Sequence, residues 1–393
     1  MMKRLCLLAF AAGLALSASA QEPLSGVLHP YPSEPGVQTP APCGYKPFYI
    51  SHYGRHGSRY LSSEKQILPA YEGLTACEKA GILNNKGYKL LDMVKEVRRE
   101  SEGLWGELSE LGQKEHREIA ARMVHNFPEV LRDSIHASSS VYSRCIVSMA
   151  VSVGEIQRLS TSAKINFKVG KRYQRILNTR QRLPGKRESG TSLQRKYLSE
   201  NLSAERLLDA IVTDRQKALS LIGNPESFFK AVYLAWADRD AIGLSAFDLR
   251  SILGEAAVQC LACSENLNLY QTLAIPCADT LLSDIIGRAD AAIAVGKPLA
   301  DLRYGHDSDL MKFMVRTGFE GYVSGLEAEQ AALFDFSEKV PLATNVQMVF
   351  YRGRKGKPIL VKILLNENEA KLEGIAGGPY YPWETVKQAW LQR

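Results

Sequence analysis

Past residue 20 the chain has no apolar run of the length a membrane helix needs, which sets aside an integral α-helical membrane protein. No internal repeat and no low-complexity segment is evident among its 393 residues, which sets repeat architectures aside. Charge of one sign is not in large excess: 49 Lys and Arg face 42 Asp and Glu, a formal +7. That mild balance favours anionic small molecules and gives no ground for a nucleic-acid partner. Cysteine is scarce, with seven in all. Cys260-Leu261-Ala262-Cys263 has a CxxC spacing, but no second ligand pair lies near it, as zinc would need, nor the strand–helix context of a thioredoxin-like motif.

What is present is ordinary globular composition, 45% hydrophobic and 23% charged. Lys3 and Arg4 precede an apolar stretch, Leu5 to Leu16, and Ala18-Ser19-Ala20 follows with small residues. This pattern predicts a secretory signal over 1–20, cleaved after Ala20, and an exported protein, secreted or periplasmic. Cleavage would take the formal charge from +7 to +5 by removing Lys3 and Arg4. It would leave Cys43, Cys77, Cys145, Cys260, Cys263 and Cys277, an even set whose members could be disulfides or buried thiols. No feature specifies an oligomeric state.

The pattern of the mature chain alternates strand and helix. PFYIS at 47–51 reads as a buried strand after a Pro- and Gly-rich arm, and SIHASS at 134–139 as a second. Helical stripes run over 86–101, over 112–127 and from Ile146 to Ile156, which puts Arg144 at a strand-to-helix corner. From Lys164 to Lys196 there are eleven Lys or Arg and one acid, Glu188, followed by a long helical pattern. DLRYGHDSDLMKFM at 301–314 then reads as strand, glycine turn and helix, with Ser308 as N-cap and Gly318 as the stop. VQMVFYR and PILVKILL flank RKGK as a hairpin. The expected fold class is α/β: a three-layer body with a largely parallel central sheet flanked by helices, built from 21–160 and 275–393, plus an inserted helical cap over 161–274.

The chemistry concentrates in SHYGRHGSRY at 51–60, at the carboxyl end of the first strand, where open α/β sheets place ligands. Arg55, Arg59 and Arg144 would converge if the two strand ends are neighbours. Three guanidiniums in one pocket call for a tetrahedral oxyanion, and phosphate fits their forks. Gly57 would let the chain turn closely beneath it. Adjacent positive charge would keep His56 neutral, so that it could attack phosphorus in line and form a phosphohistidine. His306 would help stabilise the equatorial oxygens, and Asp307 is the candidate general acid that later activates water. A metal reading of His306, Asp307 and Asp309 lacks a completing cluster, so no metal or cofactor is expected. His52, His116, His125 and His136 read as structural or solvent-facing.

This order of motifs, RHGSR at 55–59, an arginine opening a later helix, and GHD at 305–307, resembles the histidine acid phosphatases, the second branch of the histidine phosphatase superfamily. The resemblance covers nearly the whole mature chain. It implies His56 as nucleophile, Asp307 as proton donor, and Arg55, Arg59, Arg144 and His306 as the phosphate pocket. LSELGQKEHREIAARM at 108–123, YSRC at 142–145 and VKILLNENEAKL at 361–372 look closest to multiple inositol polyphosphate phosphatases, which implies hydrolysis of phytate and lower inositol phosphates. There are departures. That subgroup usually carries histidine-alanine-glutamate where this chain has His306-Asp307, Leu61 replaces a frequent proline, and Asp309 a frequent asparagine. A broad acid phosphatase or glucose-1-phosphatase is the alternative enzyme, and an inactive polyanion-binding protein the alternative class. In the basic run, Lys168, Lys171, Arg172 and Arg175 are candidates to face a polyphosphate substrate, against the reading of a solvated face.

Overall fold

Phe48, Tyr49, Ile50 and Tyr53, aromatic or β-branched, favour extended backbone in Lys46–Arg55, which forms strand β1. Its last eight residues are buried, as a strand covered on both faces requires. The computed structural model describes residues 24–32, 34–178, 190–270 (the first three as backbone alone), 279–297 and 299–393. The leader expected over 1–20, the middle of the basic run at 179–189 and Cys277 lie outside these described residues. The further strands are β2 (Ser134–Ser139), β3 (Lys164–Val169), β4 (Leu299–Gly305), β5 (Asn345–Arg352), β6 (Leu360–Leu365), β7 (Asn368–Glu369) and β8 (Tyr380–Pro382).

They form one sheet in the order β3-β2-β4-β1-β5-β6-β7, with β8 also on β6. The half β3-β2-β4-β1 is parallel throughout. The carboxyl-terminal strands extend it with antiparallel pairings, first β5 on β1 and then the expected hairpin β5–β6. Alternation along β1 sends Ile50 to one face and Tyr49 and Tyr53 to the other. Ile50 packs with Leu302, Ile119, Met149 and Val153, under the helices Glu110–Asn126 and Ser143–Leu159. Tyr49 and Tyr53 pack with Ile285, Leu310, Phe313 and Trp390, under the helices Asp279–Val295, Asp307–Thr317 and Trp383–Gln392. Sheet and two helical layers thus make the expected sandwich.

A third core contains no strand residue. It joins helices Leu68–Lys79 and Asn85–Glu100 to Pro225–Asp238 and Glu255–Tyr270 through Leu74, Leu90, Val94, Phe228, Phe229 and Leu261. The segment expected to be helical from 161 begins differently. Lys164–Val169 is a sheet strand, paired in parallel with β2. As an edge strand it carries exposed Lys164 beside Ile165 and Phe167, and charge on an edge masks the strand pattern. Cys43, Cys77, Cys145, Cys260 and Cys263 are all free thiols, with Cys77, Cys145 and Cys263 buried. Among the described residues no helix is long and apolar enough to cross a membrane.

Two of the histidines expected to be structural or solvent-facing lie inside the sandwich. His52 and His116 flank the Tyr304 ring at 5.2 and 5.8 Å. Burial drives each imidazole down to about 3, with His116 and Arg303 adding to the effect at His52. Both fold as neutral rings, whereas the unfolded chain takes up protons below about pH 6.5. Their contribution to stability is therefore complete above pH 6.5 and is lost as the pH falls toward 3. Each imidazole is expected to tilt stability by about 1.4 kcal/mol per pH unit in that window. Urea unfolding at pH 7, 6, 5 and 4 checks this. His116→Gln, which cannot titrate, should make the decline shallower, and an unchanged slope would refute the assignment.

Candidate active site

Parallel register places the site. Arg55 pairs with Gly305 at the carboxyl ends of β1 and β4. The His56 amide donates to the Gly305 carbonyl at 3.1 Å, and the Ala343 amide donates to the His56 carbonyl at 3.0 Å. His56 is thereby locked beside the segment His306-Asp307. β2 ends next door, where the Ser140 amide donates to the Tyr304 carbonyl, and the helix Ser143–Leu159 then starts with Arg144 in its first turn.

The loop after β1 lies against the helix Glu110–Asn126 at two glycines. A Cβ on Gly57 would meet the Gly112 carbonyl oxygen at 2.7 Å and its Cα at 2.9 Å, and a Cβ on Gly112 would collide with the Ser58 backbone. Gly57 is therefore needed for close approach to a helix, rather than for the turn beneath an anion that its sequence position suggests. Glu115, one helical turn from Gly112, clamps the same loop. Its carboxylate accepts the Ser58 amide at 2.7 Å, the Ser58 hydroxyl at 2.6 Å and the Tyr31 amide at 2.9 Å. Burial pushes the Glu115 carboxyl up, and the bonds from Ser58 oppose that shift.

Arg55 is fully buried. Its Nη1 donates to the Val340 carbonyl at 2.8 Å, and its Nη2 stands 3.0 Å from Asp307 Oδ2. The Arg59 Nη1 donates to the Tyr60 carbonyl at 2.7 Å, and the Arg144 guanidinium lies 4.9 Å from the centre of the Tyr142 ring. The Nε atoms of all three arginines are buried without a hydrogen-bond partner among the described residues. Burial pushes the Arg59 guanidinium down to about 10, against the pull of Asp238.

His56 Nδ1 is 3.0 Å from the Gly57 carbonyl oxygen. A carbonyl only accepts, so in the neutral ring Nδ1 carries the proton and Nε2 keeps its lone pair. The imidazole is held well below its ordinary range. Burial is the largest cause, ahead of Arg55, Arg59, Arg144 and His306. The cations expected to keep it neutral do act on it, but desolvation acts more. His306 Nε2 lies 3.0 Å from Ser140 Oγ, and the His306 ring meets Tyr142 edge-on at 5.1 Å. The rings of His56 and His306 are 5.8 Å apart. Cys145 Sγ donates to the Gly305 carbonyl at 3.3 Å behind them.

Asp307 opens the helix Asp307–Thr317, with His306 at the cap position. Its Oδ1 accepts the Ser308 amide at 2.6 Å; the cap position expected at Ser308 falls on His306, which makes no side-chain cap bond. Burial alone would raise its carboxyl, but Arg55, then His306 and the Ser308 amide, hold it below the ordinary carboxylate range. Asp309 does not join it in a metal centre: among the described residues no three His, Cys, Asp or Glu side chains are grouped to hold an ion.

The structure thus brings Arg55, His56, Arg59, Arg144, His306 and Asp307 together. The basic run divides. Lys171, Arg172 and Arg175 are exposed just past the carboxyl end of β3, the sheet edge that carries the site. Lys168 is half-buried in a cavity with Asp284, Arg288, Asp301 and Arg303, where burial and then Arg288 lower its ammonium. Those neighbours give it an internal charge cluster to serve, and a substrate contact from Lys168 has no support. Glu115, Ser140, Tyr142 and Asp238 line or brace the site without having been assigned any role from sequence. Only Glu115 and Tyr142 fall in segments whose pattern drew notice.

No family model and no curated relative matches the chain. Solved structures do. The multiple inositol polyphosphate phosphatase of Bifidobacterium longum, in complex with inositol hexasulfate, superposes with a TM-score of 0.75 at 17% identity, covering 93% of this chain and 97% of that one. Its phosphate complex gives 0.74 at 18% identity, covering 94% and 97%. The phytase from D. castellii gives 0.69 at 14% identity, covering 98% and 90%. These likenesses establish the fold over almost the full chain.

Glu115→Gln retains the size of the side chain but leaves one oxygen for three donors. It is expected to lower unfolding free energy by about 2 kcal/mol and to reduce any rise in melting temperature seen on adding inorganic phosphate. Denaturant unfolding and thermal melts with and without phosphate measure both.

Proposed function

We propose that this chain is a phosphomonoester hydrolase that works through phospho-His56 and prefers inositol polyphosphates, phytate included. One observation carries the reading: a neutral imidazole with its Nε2 lone pair unused is buried among three guanidiniums and a carboxylate. Arg55, Arg59 and Arg144 would grip the equatorial oxygens and His306 would add a further donor. His56 Nε2 attacks phosphorus in line, the N–P bond forms and the P–O bond to the leaving group breaks. Asp307 gives its proton to the departing alkoxide. The resulting carboxylate then takes a proton from water, which attacks the phosphohistidine and returns inorganic phosphate.

The protonation states work in one pH direction. His56 stays neutral far below pH 6.5, so the nucleophile survives acid. Asp307 is ionised beside Arg55 in the free pocket, yet a phosphate dianion bound against the guanidiniums draws their charge and pushes the carboxyl up. The acid form is gained as pH falls, so turnover should rise toward acidic pH and decline as pH rises. A polyanion-binding protein without turnover would gain nothing from a carboxylate at this place.

The names of the structural neighbours support the inositol phosphate class. So do Lys171, Arg172 and Arg175, at the rim where the outlying phosphates of such a substrate would lie. The helical region of 190–270 reaches the motif loop, where Asp238 Oδ2 accepts the Leu61 amide and Ala241 accepts the Ser109 hydroxyl. That supports its reading as a cap beside the pocket. The leader-like segment 1–20 supports export.

Phosphate release from phytate and from glucose 1-phosphate tests the reading. A higher kcat/KM on phytate is expected, and a large preference for the sugar phosphate would replace it with the broad acid phosphatase. His56→Ala should lower turnover by about 10⁴-fold or more. Asp307→Asn should lower phytate kcat by about 10²-fold and affect p-nitrophenyl phosphate much less, because that leaving group needs no proton. Equal losses on both substrates would remove Asp307 from the acid role.

A further inference from the structure

Tyr142 takes no part in the steps above, yet it touches two of the groups that do. It stands at the cap position of the helix Ser143–Leu159 with extended backbone (φ −79°, ψ 134°), and its side chain makes no cap bond. Serine, threonine, aspartate or asparagine would satisfy an open amide there, a gain that an aromatic ring forgoes. The ring is engaged elsewhere. The Arg144 guanidinium lies over it, 4.9 Å from its centre, and the His306 ring meets it at 5.1 Å with the planes at 89°. Arg144 follows β2 and His306 follows β4, so one half-buried side chain links groups from two strand ends.

The way Arg144 is held sets it apart from its companions. Arg55 gives Nη1 to the Val340 carbonyl and Nη2 to Asp307, and Arg59 gives Nη1 to the Tyr60 carbonyl. Each of those anchors uses N–H donors that phosphoryl oxygens could otherwise take. An aromatic face attracts a guanidinium through its quadrupole and claims no particular donor. A carboxylate in its place would also hold the cation, but it would take the donors and repel the dianion. We propose that Tyr142 is a positioning residue: its ring seats the Arg144 guanidinium on one side and the His306 imidazole on the other, and so sets the spacing of two groups that grip the phosphate. An orientation fixed before the anion arrives lowers the ordering that binding must supply.

This inference rests on the phosphate pocket proposed above, and its test reads binding rather than turnover. The full chain and three variants are titrated with inorganic phosphate by calorimetry and melted in its absence. Tyr142→Phe retains the ring and should keep the phosphate Kd within about twofold of the native value. Tyr142→Leu keeps apolar bulk without an aromatic face and should raise Kd about fivefold. Tyr142→Ser should weaken binding as much, although it supplies the missing cap and should leave the melting temperature at or above that of the native chain. Binding and stability then move independently, which they would not do if the ring merely held the helix start in place. An unchanged Kd in Tyr142→Leu and Tyr142→Ser, a rise in Tyr142→Phe as large as theirs, or a rise confined to variants that melt lower overturns the proposal. A native chain that binds no phosphate removes the pocket and this inference with it. If binding follows the ring series in a chain that hydrolyses no phosphomonoester, the positioning role stands and the activity falls.

Discussion

The ion pair between Arg55 and Asp307, 3.0 Å long with a guanidinium that sees no solvent, is the constraint on which the site depends. A buried cation is tolerated only where its geometry is fixed and its charge is answered. Here the answer is partial. One carboxylate touches Arg55, while Arg59 and Arg144 lie close enough for all three guanidiniums to depress the His56 imidazole. Three Nε atoms lack acceptors among the described residues. The interior therefore carries an excess of positive charge and unused donors, an arrangement that favours a small, multiply charged oxyanion over any neutral ligand.

Holding that excess in place is work for the sheet and its two covering layers. The pairing of Arg55 with Gly305 fixes the ion pair in register, and a slip of one residue would turn the arginine to the opposite face. The loop beyond β1 is held by sterics on one side and by a carboxylate on the other: Gly57 against Gly112, and Ser58 in the grip of Glu115. Apolar cores on both faces of β1 supply the favourable free energy against which the strained electrostatics are set. The site is thus a local electrostatic deficit carried by a conventional α/β core.

Much of this was legible in the sequence. Arg55, His56 and Arg59 could be placed because a strand precedes them, and Arg144 and His306 because a strand-to-helix corner surrounds each. Those are one-dimensional signals, and the sheet order turned them into neighbours. What escaped is what depends on three dimensions. Lys168 looked like the rest of its basic run until the strand alternation of β3 turned it toward Asp284 and Arg288. Gly57 reads as a turn residue, and its real constraint is a glycine more than fifty positions away, which no spacing rule reports. Asp238, a single acid in a helical stretch, carries no local signature at all. The cause of His56 neutrality was misweighted for the same reason, since charge can be read from neighbours in sequence but burial cannot.

The pocket makes two demands of its field that pull against each other. A positive interior keeps His56 unprotonated, which a nucleophile requires, but it also keeps Asp307 ionised, which a general acid cannot be. No fixed arrangement of the same residues satisfies both at one pH. In the proposed reaction the substrate resolves the conflict, because its dianion binds against the guanidiniums beside the carboxylate. It cancels the field at Asp307 while its phosphorus faces Nε2 of His56, whose neutrality rests first on burial and so survives the cancellation. Acid and nucleophile would then be competent together only when a phosphoryl group is seated.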